Sequence, residues 1–255
     1  RSKIRMTVGR TNSMSGRSNG FGAGRGGNCS IGALNGAGDV GAFWTGASKG
    51  SINLGNGNAS GYFSGVLRGN GNATDGNIEG GTFTLIKSGT GTQVLSGGST
   101  YTGGTIISNG TLAVSGVGLL GAGSYAGTMT NNGVFIMGSS ATQLLSGTMS
   151  GSGSIMKTNS GTLTMTARAN SFSGPVAVSN GIYYVYGTNT GAGAYTVYSG
   201  ALLGGTGTLH QSTVTVKIGG TIGVMTGSAT GVLKVAALSL EDGASQSSSP
   251  AWLRV

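Results

Sequence analysis

Residues 86–116 read IKSGTGTQVLSGGSTYTGGTIISNGTLAVSG, and residues 156–187 repeat the plan as MKTNSGTLTMTARANSFSGPVAVSNGIYYVYG. With one residue inserted between Met165 and Phe172, Lys87 aligns with Lys157, Gly91-Thr92 with Gly161-Thr162, Tyr101 with Phe172 and Gly103 with Gly174. Ser108-Asn109-Gly110 then falls on Ser179-Asn180-Gly181, and Val114 on Val185. Self-similarity at a long period marks an array in which one supersecondary unit buries its apolar face only by stacking on the next. Within each copy apolar and small polar residues alternate, as in Thr162-Leu163-Thr164-Met165-Thr166 and Gly110-Thr111-Leu112-Ala113-Val114-Ser115, which is the period of a strand. Gly97-Gly98, Gly103-Gly104, Asn109-Gly110, Asn180-Gly181 and Gly219-Gly220 bound these runs and suit tight corners.

Short strands with glycine or asparagine corners fit either an antiparallel sandwich or a coiled parallel sheet. Fifty-five glycines among 255 residues with only two prolines are extreme for a sandwich and suit coils whose corners recur every few residues. The fold class expected is all-β: a right-handed parallel β-helix, a single elongated β-solenoid, with helix nearly absent. At roughly 20–25 residues per rung there would be about nine rungs, about 4.8 Å apart. The organisation expected is a disordered basic Gly/Ser-rich segment at 1–28, a β-helix at 29–244 with two long repeats (85–116 and 155–187), and an irregular tail at 245–255.

The run Leu85 to Thr92, then Leu95-Ser96-Gly97, Ser99 to Thr105 and Ser108 to Val114 resembles the autotransporter-associated β-strand repeat, also called the passenger-associated transport repeat. Asn58 to Leu67 resembles the strand pair that precedes that repeat, and Gly204 to Thr208, Val214 to Val216, Gly219 to Ile222 and Leu233 to Ala244 resemble the coils that follow it. The second copy departs where Pro175 replaces the second glycine and where Arg168-Ala169-Asn170 replaces a small-residue turn. The resemblance implies a fragment of an autotransporter-type passenger: a secreted or cell-surface, adhesin-like bacterial protein exported across the outer membrane. It implies a non-enzymatic structural segment, a β-helical stalk that aids secretion and folding of the passenger. No barrel-like series of strands and no leader with an apolar stretch is visible, so the sequence reads as an internal piece of a longer protein.

Charge and chemistry narrow the remaining classes. The formal net charge is +9, yet six of the fourteen basic residues (Arg1, Lys3, Arg5, Arg10, Arg17, Arg25) sit in the first 25 positions. Lys49, Arg68, Lys87, Lys157, Arg168, Lys217 and Lys234 are single and widely spaced, reading as isolated surface charges rather than a nucleic-acid face. Five acids, Asp39, Asp75, Glu79, Glu241 and Asp242, lie outside any shared register, so no paired carboxylates for polysaccharide cleavage are set up. His210 is the sole histidine and Cys29 the sole cysteine, which leaves no metal set, no cofactor and no intramolecular disulfide. Two glycine patterns of dinucleotide type, starting at Gly22 and Gly36, are what this glycine content produces by chance. The partners expected are neighbouring coils of the parent protein and host or environmental glycans, with no nucleic acid and no transmembrane segment. Tyr183, Tyr184 and Tyr186 are the residues placed to stack on a sugar, against the alternative that they stack inside the coil. A glycan-binding or carbohydrate-active β-helix module therefore stands as the second reading.

Overall fold

The computed structural model describes residues 6–7, 28–41, 49–68, 82–224 and 232–248. It is all-β, a β-solenoid of about nine turns. Six-, ten- and seven-stranded sheets of parallel strands run along it, and successive strands pass from one sheet to the next. In the middle of the solenoid a rung contributes one short strand to each of three faces, as Ser124–Tyr125, Met129–Asn131 and Val134–Ser139 do, while elsewhere a face is held by isolated bridges such as Gly98 to Leu119. Tyr195 pairs with Val214, 19 positions on, and Thr105 with Met129, 24 positions on, near the rung length expected, whereas Ile52 pairs with Leu85, 33 positions on, so the first rungs are longer. Thr208–Val216 is long enough to cover two faces, with a register shift between Leu209 and Thr213 where the backbone bends from one to the other.

Strands form where the period of two is clean, and the same parity decides what lies inside. In the ten-stranded sheet Val114, Met137, Lys157, Val178, Val197 and Val216 stack rung on rung, each buried. The row beside it is Leu112, Phe135, Ile155, Val176, Tyr195 and Val214. The core is therefore a set of ladders of like residues, each contacting only its neighbours above and below.

Ser245–Ser248 forms a strand paired with Thr221–Val224, so the sheet continues past residue 244 into the segment expected to be an irregular tail. Asn28 likewise opens a paired strand, Asn28–Ile31. In the basic N-terminal segment Met6–Thr7 pairs antiparallel with Ala33–Leu34; the rest of the disorder assigned to that segment lies outside the described residues, as do Asp75 and Glu79.

Candidate functional site

The two repeats share a construction that their alignment alone does not reveal. In the first, Thr82–Lys87 and Thr105–Ile107 lie in the six-stranded sheet, and Thr92–Leu95 and Thr111–Gly116 in the ten-stranded sheet. In the second, Ser154–Lys157 and Val176–Val178 lie in the ten-stranded sheet, and Thr162–Met165 and Gly181–Val185 in the seven-stranded one. Each repeat is thus a block of two rungs by two faces, and the second block is advanced by one face. In each block the corners of the two rungs stack, and the first of the two holds a lysine at its entry.

Lys87 and Lys157 are each 0% exposed, at the inward-facing end of a strand. This corrects the expectation that both are isolated surface charges. The Lys87 ammonium donates to Ser88 O (2.5 Å), Gly89 O (3.0 Å) and Asn109 O (3.5 Å). The Lys157 ammonium donates to Thr158 O (2.7 Å), Asn159 O (2.6 Å) and Asn180 O (3.2 Å). Three protons meet three carbonyls, two from the lysine's own corner and one from the corner of the next rung. The tie is closed from the other side by backbone bonds of 2.8 Å from Ser108 N to Lys87 O and from Ser179 N to Lys157 O. Burial pushes both lysines below the ordinary value, Lys157 to about 8, which leaves Lys157 largely an ammonium at neutral pH.

Gly110 and Gly181 make these corners possible. Their φ values are +63° and +71°, in the left-handed region. A Cβ at Gly110 would stand 2.4 Å from Gly89 O and 2.8 Å from Lys87 Nζ, and one at Gly181 would stand 2.4 Å from Asn159 O and 2.8 Å from Lys157 Nζ. Pro175, the departure of the second copy, occupies the same role as Gly104: Ile155 N donates to Pro175 O at 3.0 Å and Leu85 N to Gly104 O at 2.9 Å. Only the carbonyl is used there, so the missing N–H costs nothing. At the other departure, Asn170 Oδ1 accepts from Met149 N and Asn170 Nδ2 donates to Ala167 O, so a buried side chain replaces turn backbone.

Two glutamines that sequence reasoning passed over brace the interior. Gln93 Oε1 accepts from Leu34 N (2.9 Å) and its Nε2 donates to Leu34 O (2.9 Å). Gln143 treats Leu120 in the same way, at 2.8 and 3.0 Å. The matching runs Thr92-Gln93-Val94-Leu95-Ser96-Gly97 and Thr142-Gln143-Leu144-Leu145-Ser146-Gly147 are the signal that could have found them.

The tyrosine set divides. Tyr183 is fully buried, its ring stacked on Tyr195 with centroids 6.4 Å apart and its hydroxyl directed at the Met165 sulfur. It is thereby removed as a sugar contact, because the interior of a filled coil admits no ligand. Tyr184 and Tyr186 face outward at the end of that strand, their rings 5.7 Å apart and tilted by 37°. Tyr101 and Tyr125 are interior, edge to face at 5.4 Å, and both hydroxyls bond Thr105 Oγ1. His210 is exposed on Thr208–Val216, and Cys29 is half-buried on Asn28–Ile31. Lys217, expected to be an isolated surface charge, pairs with the half-exposed Glu241 of the following rung, while Asp242 is exposed in the turn that follows.

No curated protein and no solved structure is significantly similar to this sequence. Among the described residues no helix is long and apolar enough to cross a membrane. Residues 85–114 and 156–182 match the passenger-associated-transport-repeat family, and they coincide with the two lysine-cornered blocks, so two segments of this β-solenoid are similar to that repeat.

Proposed function

We propose that this protein is a non-enzymatic stalk segment in the passenger of an exported bacterial surface or secreted protein, and that its two repeats act as ties that help the passenger fold as it is exported. The observation that carries the reading is the pair of lysine corners. Each repeat devotes its one buried cation to joining a rung to the next, with three backbone carbonyls as partners. In an unfolded polypeptide the lysine is solvated and the Asn-Gly corner is flexible. Docking the ammonium therefore fixes two rungs and one corner together, and each tie lowers the cost of adding the next rung.

The test places the 255-residue protein between an export signal and an outer-membrane translocator and follows its arrival by protease accessibility on intact cells. The wild type is expected to reach the surface protease-resistant, and a Lys87→Met, Lys157→Met double variant to stall or arrive protease-sensitive. Equal arrival and equal resistance of the two would overturn the reading.

The glycan-binding alternative keeps one specific observation, the outward pair Tyr184 and Tyr186. A tilted pair of phenol rings on the outer surface suits stacking on a sugar ring. Calorimetric titration of neutral oligosaccharides against the wild type and Tyr184→Ala decides it: heat that disappears in the variant supports it, and no heat from either protein rejects it.

A further inference from the structure

Beside each buried lysine an asparagine folds its side chain back on the next peptide, Asn109 in the corner of the rung after Lys87 and Asn159 in the corner of Lys157 itself. Gly110 N–H donates to Asn109 Oδ1 at 2.7 Å, and Ser160 N–H donates to Asn159 Oδ1 at 2.8 Å. A bond of this kind between neighbours holds the following nitrogen against the side-chain amide. The carbonyl of the same peptide faces the buried ammonium, Asn109 O at 3.5 Å from Lys87 Nζ and Asn159 O at 2.6 Å from Lys157 Nζ. Asn109 and Asn159 are themselves exposed, so water reaches the amide while the cation stays enclosed.

We propose that Asn109 and Asn159 are self-modifying corners, at which the enclosed ammonium promotes conversion of asparagine into aspartate and isoaspartate with water as the only co-reactant. The Gly110 N–H gives its proton to solvent and the nitrogen attacks Asn109 Cγ. The N–Cγ bond forms, the Cγ–Nδ2 bond breaks, and Nδ2 leaves as ammonia after taking a proton from solvent, which closes a five-membered imide. Water then adds to one imide carbonyl. Breaking the new N–Cγ bond gives aspartate, and breaking the original peptide bond gives isoaspartate. The net change is one amide and one water converted to one carboxylate and one ammonium ion, with no electron gained or lost.

The lysine's part is electrostatic. When the peptide nitrogen loses its proton, the negative charge spreads onto the carbonyl oxygen of the same amide, which is where the ammonium sits. Asn109 is expected to react first, because Gly110 has no Cβ to hinder its nitrogen, whereas Ser160 has one. Isoaspartate adds a methylene to the backbone of a corner that lacks room for even one extra carbon at Gly110. Conversion therefore loosens the tie between rungs, and the stalk has a built-in ageing site at each repeat.

The experiment holds the purified 255-residue protein at neutral pH, native and in urea, and follows each asparagine by peptide mass spectrometry with separation of isoaspartate. The native protein is expected to convert Asn109 several-fold faster than the urea-unfolded one, with Asn159 slower than Asn109. Native conversion of Asn109 at or below the unfolded rate would overturn the proposal, since the fold would then protect the corner. Lys87→Gln is expected to slow Asn109 while leaving Asn159 unchanged, and an equal rate at Asn109 in a variant whose circular dichroism is native would also overturn it. Should that variant not fold, the native-against-urea comparison on the wild type decides alone.

Discussion

A lysine among buried valines is costly unless every proton is bonded, and here backbone carbonyls do the bonding where a carboxylate would ordinarily serve. Replacing the side chain by an apolar one of similar length removes the cation and leaves corner carbonyls with no donor. Lys157→Met is therefore expected to destabilise the fold by about 2–4 kcal/mol, as charge-assisted bonds are lost and acceptors are stranded, and equilibrium urea unfolding measures it. Lys157→Arg offers no rescue, since a planar fork does not match three converging oxygens. The glycines give a sharper contrast. Gly181 and Gly200 both have positive φ, +71° and +76°, but only at Gly181 would a Cβ meet neighbours, while around Gly200 nothing lies within 4 Å. Gly200→Ala should cost about 1–2 kcal/mol, the conformational term alone. Gly181→Ala should cost clearly more, because the Asn159 carbonyl at 2.4 Å must shift and takes the lysine contact with it. Equal midpoints for the two variants in urea would refute this account of the corner.

At the scale of strands and corners, the parallel coil was legible because two independent signals agreed: the period of two within runs, and the glycine or Asn-Gly pairs between them. The corner chemistry was less legible. Lys87 and Lys157 stood out in the alignment, yet a lysine with no acid nearby in sequence is nearly always solvated. Parity held the answer in part. Lys87 follows Leu85 by two positions, and Lys157 follows Ile155 by two, so each shares its strand's inward face. The apolar Ile86 and Met156 between them obscured that pattern, although Met156 proves to be exposed. The lysines' partners are backbone oxygens, which no residue type announces. Tyr183 and Tyr184 illustrate the same limit, since adjacent residues necessarily face opposite sides and the sequence alone does not say which is inside. The glutamine braces are an element-scale device open to test. Gln143→Leu keeps the volume and the interior position but strips the buried N–H and C=O of Leu120 of their partners. A loss of about 2–4 kcal/mol is expected from two unpaired buried groups, whereas Leu144, on the outward face of the same strand, should tolerate Leu144→Thr within about 0.5 kcal/mol.

For the molecule as a whole, stability is a sum over rungs, and the titratable groups enclosed in those rungs add their pH dependences in the same way. The two buried lysines release their proton earlier when folded than when unfolded, Lys157 at about 8 against 10.5. Between those values the unfolded state holds protons that the folded state has lost, so stability rises with pH across the window and is flat below it. The buried tyrosines act with the opposite sign. Tyr125 and Tyr195 are raised to about 12 and Tyr101 and Tyr183 well above 10, in each case with burial as the largest cause. Above pH 10 the unfolded state therefore sheds protons that the folded state keeps, and stability falls. The two trends place the maximum between the lysine and tyrosine transitions, at about pH 9.5. Thermal unfolding recorded from about pH 7 to about pH 11 is expected to show a midpoint that climbs from about 8 and then drops. In the Lys87→Met, Lys157→Met double variant the climb should vanish while the drop remains, and in Tyr195→Phe the drop should be shallower while the climb remains. A wild-type midpoint that declines steadily from neutral pH would mean that the corner carbonyls hold the ammonium form so strongly that burial no longer governs its proton.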